Sequence, residues 1–276
     1  MSSTTSLKEQ IVTAINDPGL ELPVFSRVAA QVLRLLATDD YAVKDLERLI
    51  RSDQTLVSDV LRAANSSFYG GLAPVSTVQA AGVRLGGQQL ASLIMLAAEG
   101  QRYAAADNEV NRLMRELWRH AMGTAMAAQW LAKKLGYTEI LSESFVAGLI
   151  HDIGMLAILK VLDALKKEKD LHLPAALVLQ VLESMHAEQG YLLARKWSLP
   201  ENYCLVVRDH HVEEFDQSNV LLAIVRLSNQ ACIKLGIGIH ADASLELPVT
   251  PEAQLLNVGD VLLAELEVML EDALLA

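Results

Sequence analysis

The run Leu149-Ile150-His151-Asp152-Ile153-Gly154 sets a histidine beside an aspartate inside an otherwise apolar segment. The apolar spacing around it predicts a helix from about Ser142 to Leu165, with the pair in its middle and Gly154 loosening it. Neutral imidazole and carboxylate are good ligands for zinc, iron, manganese or nickel, and an aspartate can bridge two ions. Neighbouring residues on a regular helix point about 100° apart, so the two converge on a metal only if other helices bring ligands around them. A chance His-Asp dipeptide is common, and a lone helical histidine is usually a surface or satisfied core residue. The other histidines decide between these readings.

Five of the seven histidines, His120, His151, His186, His210 and His211, fall between positions 120 and 211 on predicted helices. A long helix runs through Trp118, His120 and Trp130 to a stop at Gly136, and further helices are predicted over about 174–185, 187–196, 201–211 and 218–236. The order H…HD…H…HH, each member on a separate helix, is far less readily a product of chance and points to one shared polar pocket. His172 lies in a polar loop and reads as a surface residue, and His240 stands alone.

Helical spacing persists almost everywhere, and strand-like alternation is nowhere sustained, so the expected class is all-α. Phe25, Val28, Val32 and Leu35 make one stripe, Leu46, Leu49 and Ile50 a second, and Leu56, Val60, Leu61 and Ala64 a third. Asp53 is placed to cap that third helix. Residues 65–76 form a loop broken by Gly70, Gly71 and Pro74, in which Asn65 is expected to fix the turn through side-chain to backbone hydrogen bonds. Two short helices follow, separated near Gly86-Gly87. The helix from about Pro251 onward is apolar around almost its whole circumference, so it packs within the chain or forms a homodimer. The polar break near 105–109 suggests an N-terminal helical lobe over 1–107, a histidine-bearing lobe over 108–240 and a C-terminal extension over 241–276.

With 276 residues, 52% of them hydrophobic, the chain can bury a sizeable core, and its composition excludes a disordered protein. The uncharged stretch between Arg84 and Glu99 is too short and too polar to cross a bilayer, and no leader pattern opens the chain, so a soluble, cytoplasmic protein without a membrane partner is expected. A formal net charge of −11 with scattered basic residues argues against direct nucleic-acid binding. Cys204 and Cys232 each sit in an apolar pattern and are read as buried hydrophobes, not as a disulfide or a metal pair.

The stretch 149–154 resembles the HD signature of metal-dependent phosphohydrolases. His186-Ala187-Glu188-Gln189-Gly190, followed by Trp197-Ser198-Leu199-Pro200 and His210-His211, resembles the HDOD variant of that superfamily. So does the N-terminal part: Leu22-Pro23, then Leu61-Arg62-Ala63-Ala64-Asn65-Ser66-Ser67-Phe68-Tyr69-Gly70, Ser76-Thr77-Val78-Gln79-Ala80-Ala81 and Leu85-Gly86. The likeness covers roughly residues 20–236 and implies an HD-like helical core with an additional N-terminal helical lobe. It also implies ligand roles: His120 first, His151 second, Asp152 as bridging carboxylate, and His186, His210 and His211 completing the set. Glu116 matches a glutamate of some HD-GYP sites.

Three departures count against catalysis. The lysine that follows the HD-x-Gly motif in HD-GYP enzymes is Met155 here, the Gly-Tyr-Pro segment is replaced by Val212-Glu213-Glu214-Phe215-Asp216, and the late aspartate falls on Asn229. The resemblance therefore implies a non-catalytic bacterial signalling protein that acts through other signalling proteins and keeps one or two divalent ions (Fe, Mn, Ni or Zn), with no residue assigned to catalysis. The alternative is a metal-dependent phosphohydrolase acting on a nucleotide or cyclic dinucleotide such as cyclic di-GMP. A third reading is a metal- or ligand-gated sensor. Phe68, Tyr69 and Pro74 are expected to be packing residues.

Overall fold

The structure, a computed structural model, describes residues 6–17, 25–36, 41–66, 69–71, 73–169 and 173–274. Leu22, Pro23, Phe68 and His172 lie outside these residues. Every regular element among them is helical, so the all-α expectation holds. Residues 25–102 form one compact unit with the chain from 267 onward, and residues up to 24 form the other with 103–266.

After α1 (Leu7–Asn16), the first unit contains α2 (Arg27–Leu36), α3 (Val43–Ile50), α4 (Gln54–Ala64), α5 (Val78–Leu85) and α6 (Gly87–Gly100). The predicted stripes become its core: Ala29 and Val32, Leu46 and Ile50, and Leu56, Val60 and Ala64 are buried around Leu90, Leu93, Ile94 and Met95 of α6. Asp53 accepts the Leu56 amide at 2.9 Å, the cap that its position predicts. Asn65 closes the 66–74 loop from both sides, accepting from Val75 N and donating to Val75 O, each at 2.8 Å. Tyr69 is partly buried with its hydroxyl on Gln89, whereas Pro74 is exposed and does not pack as expected.

The second unit holds α7 (Asn108–Lys134), α8 (Leu141–Ile150), α9 (Ile153–Lys169), α10 (Ala175–Lys196), α11 (Glu201–Asp209), α12 (Val220–Lys234) and α13 (Pro251–Leu255). The last helix, α14 (Asp260–Leu274), begins in this unit. Here α8 packs against α7, α11 and α12, while α10 packs against α9 and α11, and α1 lies on α9. By length and composition the stretch Thr138–Lys169 is apolar enough to span a membrane, but 94% of its apolar window is buried within the structure, as for a core helix.

Three boundaries differ from the sequence reading. The helix expected over 142–165 is interrupted at His151-Asp152, with α8 ending at Ile150 and α9 starting at Ile153. The two helices expected on either side of position 186 are one, α10. The helix expected from Pro251 onward divides, because Asn257 turns left-handed (φ 53°) and ends α13. On α14, Leu263, Leu266 and Leu270 are buried and Val261 and Val268 exposed, so most of the apolar surface of that helix is used within the chain.

Candidate metal centre

His120 comes from α7, His151 and Asp152 from the junction of α8 and α9, His186 from α10, and His210 and His211 from the end of α11. All six meet in one unit. Asp152 is buried between two groups of rings. Its Oδ2 lies 3.4 Å from His151 Nε2 and 3.6 Å from His120 Nε2. Its Oδ1 lies 3.2 Å from His210 Nε2 and 3.4 Å from His186 Nε2. His211 is the exposed member, its ring 4.2 Å from that of His210 and 5.0 Å from that of His186. One carboxylate is thus shared by a His120–His151 set and a His186–His210–His211 set.

The other ring nitrogen of each buried histidine decides what the cluster needs. Nδ1 faces a backbone carbonyl in every case: Ile237 O for His120 at 2.9 Å, Gly148 O for His151 at 2.8 Å, Leu182 O for His186 at 2.8 Å and Val207 O for His210 at 2.9 Å. A carbonyl oxygen only accepts, so each Nδ1 carries the hydrogen and each neutral Nε2 presents a lone pair. These lone pairs face one another, His120 to His151 at 3.2 Å and His186 to His210 at 3.3 Å, and they also face the carboxylate. Burial pushes His151 down to about 3 and also lowers His186. A neutral ring held in this way has no hydrogen to place between its Nε2 and the carboxylate. A cation satisfies the arrangement, and the carbonyl-bound Nδ1–H is the usual outer-shell device for orienting histidine ligands. The donor set fits divalent transition ions.

Two glycines let the elements close in. A Cβ on Gly154 would sit 1.9 Å from His186 O, so only glycine lets the start of α9 press on α10 at the ligand itself. Gly238, with φ +128°, lies on His120, where a Cβ would meet the ring-bearing carbon at 2.8 Å, and this brings the Ile237 carbonyl to the ring. The double-histidine end of α11 is held by Arg226 of α12. One of its nitrogens, Nη1, donates to the carbonyls of Asp209, His210 and Val212 at 2.8–3.0 Å, while Nε pairs with the fully buried Glu252 at 2.6 Å. Phe215 stacks 4.3 Å from the guanidinium. Sequence reasoning passed over this pair, although a lone arginine inside the apolar run 220–233 was its signal.

A pocket of about 310 Å³, part of it open to solvent, reaches the cluster at His120, Asp152 and His211. Its remaining walls are Leu117, Met155, Asn229, Ile233, Ile239 and His240. Both substituted positions of the resemblance therefore face the site. Glu116 instead pairs with Arg112 at 2.7 Å. His240, which no spacing connected to the others, is a pocket residue. Cys204 and Cys232 are free and buried, as expected.

The family model of the HDOD domain matches residues 22–213 of this chain. An uncharacterized protein of Treponema pallidum (strain Nichols) is 27% identical over 216 residues, which cover 76% of this chain and 40% of that protein, so the chain spans well under half of its curated relative. Among solved structures, an HDOD domain protein of unknown function from Geobacter sulfurreducens is similar, with a TM-score of 0.71 at 22% identity over 93% of this chain and 95% of that one. A protein of Shewanella amazonensis SB2B, provisionally named a metal-dependent phosphohydrolase, has a TM-score of 0.67 at 20% identity over 97% and 98% of the two chains. A provisionally named signal transduction protein of Marinobacter aquaeolei VT8 has a TM-score of 0.64 at 23% identity over 96% of this chain and 64% of that one.

Proposed function

The chain belongs to the HDOD family, and from that premise we propose that it is a metal-holding signalling protein that acts by binding other proteins and does not turn over a substrate. The ligands are His120 and His151 on one side of Asp152 and His186, His210 and His211 on the other, with room for one or two divalent ions among Fe, Mn, Ni and Zn. The observation that carries the metal is the convergence of four Nε2 atoms on the two oxygens of one buried carboxylate. The observation against turnover is that Met155 and Asn229 line the pocket where the HD-GYP pattern has a lysine and an aspartate. Methionine brings no charge to a phosphate, and a neutral amide binds a divalent ion more weakly than a carboxylate does. The signalling relative and the family support a role in regulation through other signalling proteins, in a cytoplasmic setting.

The second reading, a metal-dependent phosphohydrolase, is favoured by the six ligand-type residues that converge around Asp152. Bound ions would then supply an activated water and neutralise charge developing at phosphorus. One experiment separates the two readings. Purified protein is reconstituted with Mn, Fe, Ni or Zn, its metal content is measured, and it is assayed with cyclic di-GMP and simple nucleotides. Metal above background that falls in His151→Ala and Asp152→Ala, with negligible turnover, is the expected outcome. Robust turnover abolished by Asp152→Ala overturns the non-catalytic reading, and absence of bound metal overturns the ligand assignment.

A further inference from the structure

Residues 241–276 hold eight carboxylates and no lysine or arginine, so this stretch carries −8 of the net charge of −11. Five of the eight acids lie on α14. The inward face of that helix, Leu263, Leu266, Met269 and Leu270, is buried. On the opposite side Val261 (76% exposed), Ala264 and Val268 (55% exposed) follow at three- and four-residue spacing and form one apolar stripe. At about 100° per residue, Glu265 flanks this stripe on one side, Asp260 and Glu271 on the other, and Asp272 stands one turn beyond Val268. All four acids are exposed. Glu265 pairs with Lys134 at 2.6 Å, whereas Asp260, Glu271 and Asp272 have no ion pair among the described residues.

Asp260 suits the amino end of a helix, where the backbone dipole is positive. Glu271 and Asp272 occupy the last turn, where the dipole is negative, and α14 has no basic residue there to offset them. The helices α7, α9 and α10 end the other way, with lysine or arginine in the last turn. The two carboxylates therefore weaken the helix that carries them, and their position beside an exposed apolar stripe suits a cation brought from outside. We propose that this face of α14 docks a basic amphipathic helix of a partner protein. The apolar residues of that helix would lie on Val261, Ala264 and Val268, and its lysines or arginines on Glu271 and Asp272. This rests on the reading that the protein acts by binding other proteins, and it names the chemistry of the partner. A second copy would set the same acids against one another, and an anionic lipid surface or a nucleic acid would be repelled in the same way.

The test titrates the full chain into a labelled leucine–lysine peptide of about 18 residues, long enough to hold a helix, with its leucines on one face. Fluorescence anisotropy follows binding at low and high salt. Wild type binds the peptide, and the affinity falls as salt rises. Val261→Ser/Val268→Ser weakens binding about ten-fold through lost apolar burial. Glu271→Lys/Asp272→Lys weakens it about ten-fold at low salt and less at high salt. The same charge reversal raises the urea midpoint, because it corrects the last turn of α14. A purely structural role for these acids would not move binding and stability in opposite directions. All four positions are exposed, so the variants keep their fold. Peptide held equally by wild type and variants, or by none of them, overturns this surface. So does a charge reversal that lowers the urea midpoint, or a wild-type dimer in sedimentation that Val261→Ser/Val268→Ser dissolves. None of these results touches the metal-holding reading, which stands or falls on metal content and turnover.

Discussion

Replacing Gly154 with alanine tests whether the approach of α9 to α10 builds the metal centre. The new Cβ would stand 1.9 Å from the His186 carbonyl oxygen and 2.8 Å from Gly190 N, both of them backbone atoms that no rotamer change can move. Real Cβ atoms essentially never come under 3.0 Å, so the two helices must part by about 1 Å. Forced overpacking of this kind costs about 1–3 kcal/mol. With a urea slope of about 3 kcal/mol/M, that lowers the midpoint by roughly 0.3–1 M. The same displacement acts on the ligands. His186 Nε2 is 3.4 Å from Asp152 Oδ1, and metal–nitrogen bonds tolerate little departure from about 2.0–2.1 Å. The His186–His210–His211 half should therefore lose its ion while His120 and His151, fixed by other elements, keep theirs. The assays are urea unfolding followed by circular dichroism and metal analysis after dialysis. A variant with the wild-type midpoint and the wild-type metal content would refute the account.

Metal-stripped protein should lose stability as pH falls. His151 has its ordinary value of 6.5 in the unfolded chain and about 3 when folded, so the unfolded state alone takes up the proton between these limits. The loss is about 1.4 kcal/mol per pH unit from this ring. Asp152, lowered by folding, acts in the same sense at the acid end of that window. A urea midpoint that stays flat from pH 7.5 to 4.5 would contradict this. Arg226→Met should cost about 3–5 kcal/mol by leaving the buried Glu252 uncompensated, with Arg226→Met/Glu252→Gln recovering part of it; an unchanged midpoint in the single variant would show that the pair is not what holds the end of α11. Asn65→Ala removes both bonds to Val75 and should lower stability by about 1–3 kcal/mol, measured on the same unfolding curves; no change would mean that the loop is held by other contacts.

Features that act within a turn or two of their own residue could be read directly from the chain. The Asp53 cap, the Asn65 loop clasp, the separation of α5 from α6 and the apolar stripes of the first unit all belong to this class. The histidine order was legible because five members of one residue type spread over four helices is itself a long-range signal. The interruption at His151-Asp152 was not legible, since His151 keeps right-handed helical angles (φ −53°, ψ −35°) and the apolar spacing runs on across it. The continuity of α10 through position 186 was not legible, because His186 turns its ring into the cluster while its Nδ1 stays on the Leu182 carbonyl one turn back on the same helix. His240 and the Arg226–Glu252 pair are set by how loop and helix return in space, which local spacing does not encode.

The four carbonyls that aim the histidine rings are not equivalent in time. His151, His186 and His210 take their direction from carbonyls three or four residues earlier in their own stretch of chain. His120 takes its direction from Ile237, 117 residues further on. As the chain is synthesised from its amino end, the first of these ligands to leave the ribosome is the last to be aimed. A fragment ending short of position 236 would carry three self-aligned rings and one free to rotate. Anyone transplanting this centre into another scaffold has to move the returning loop along with the helices.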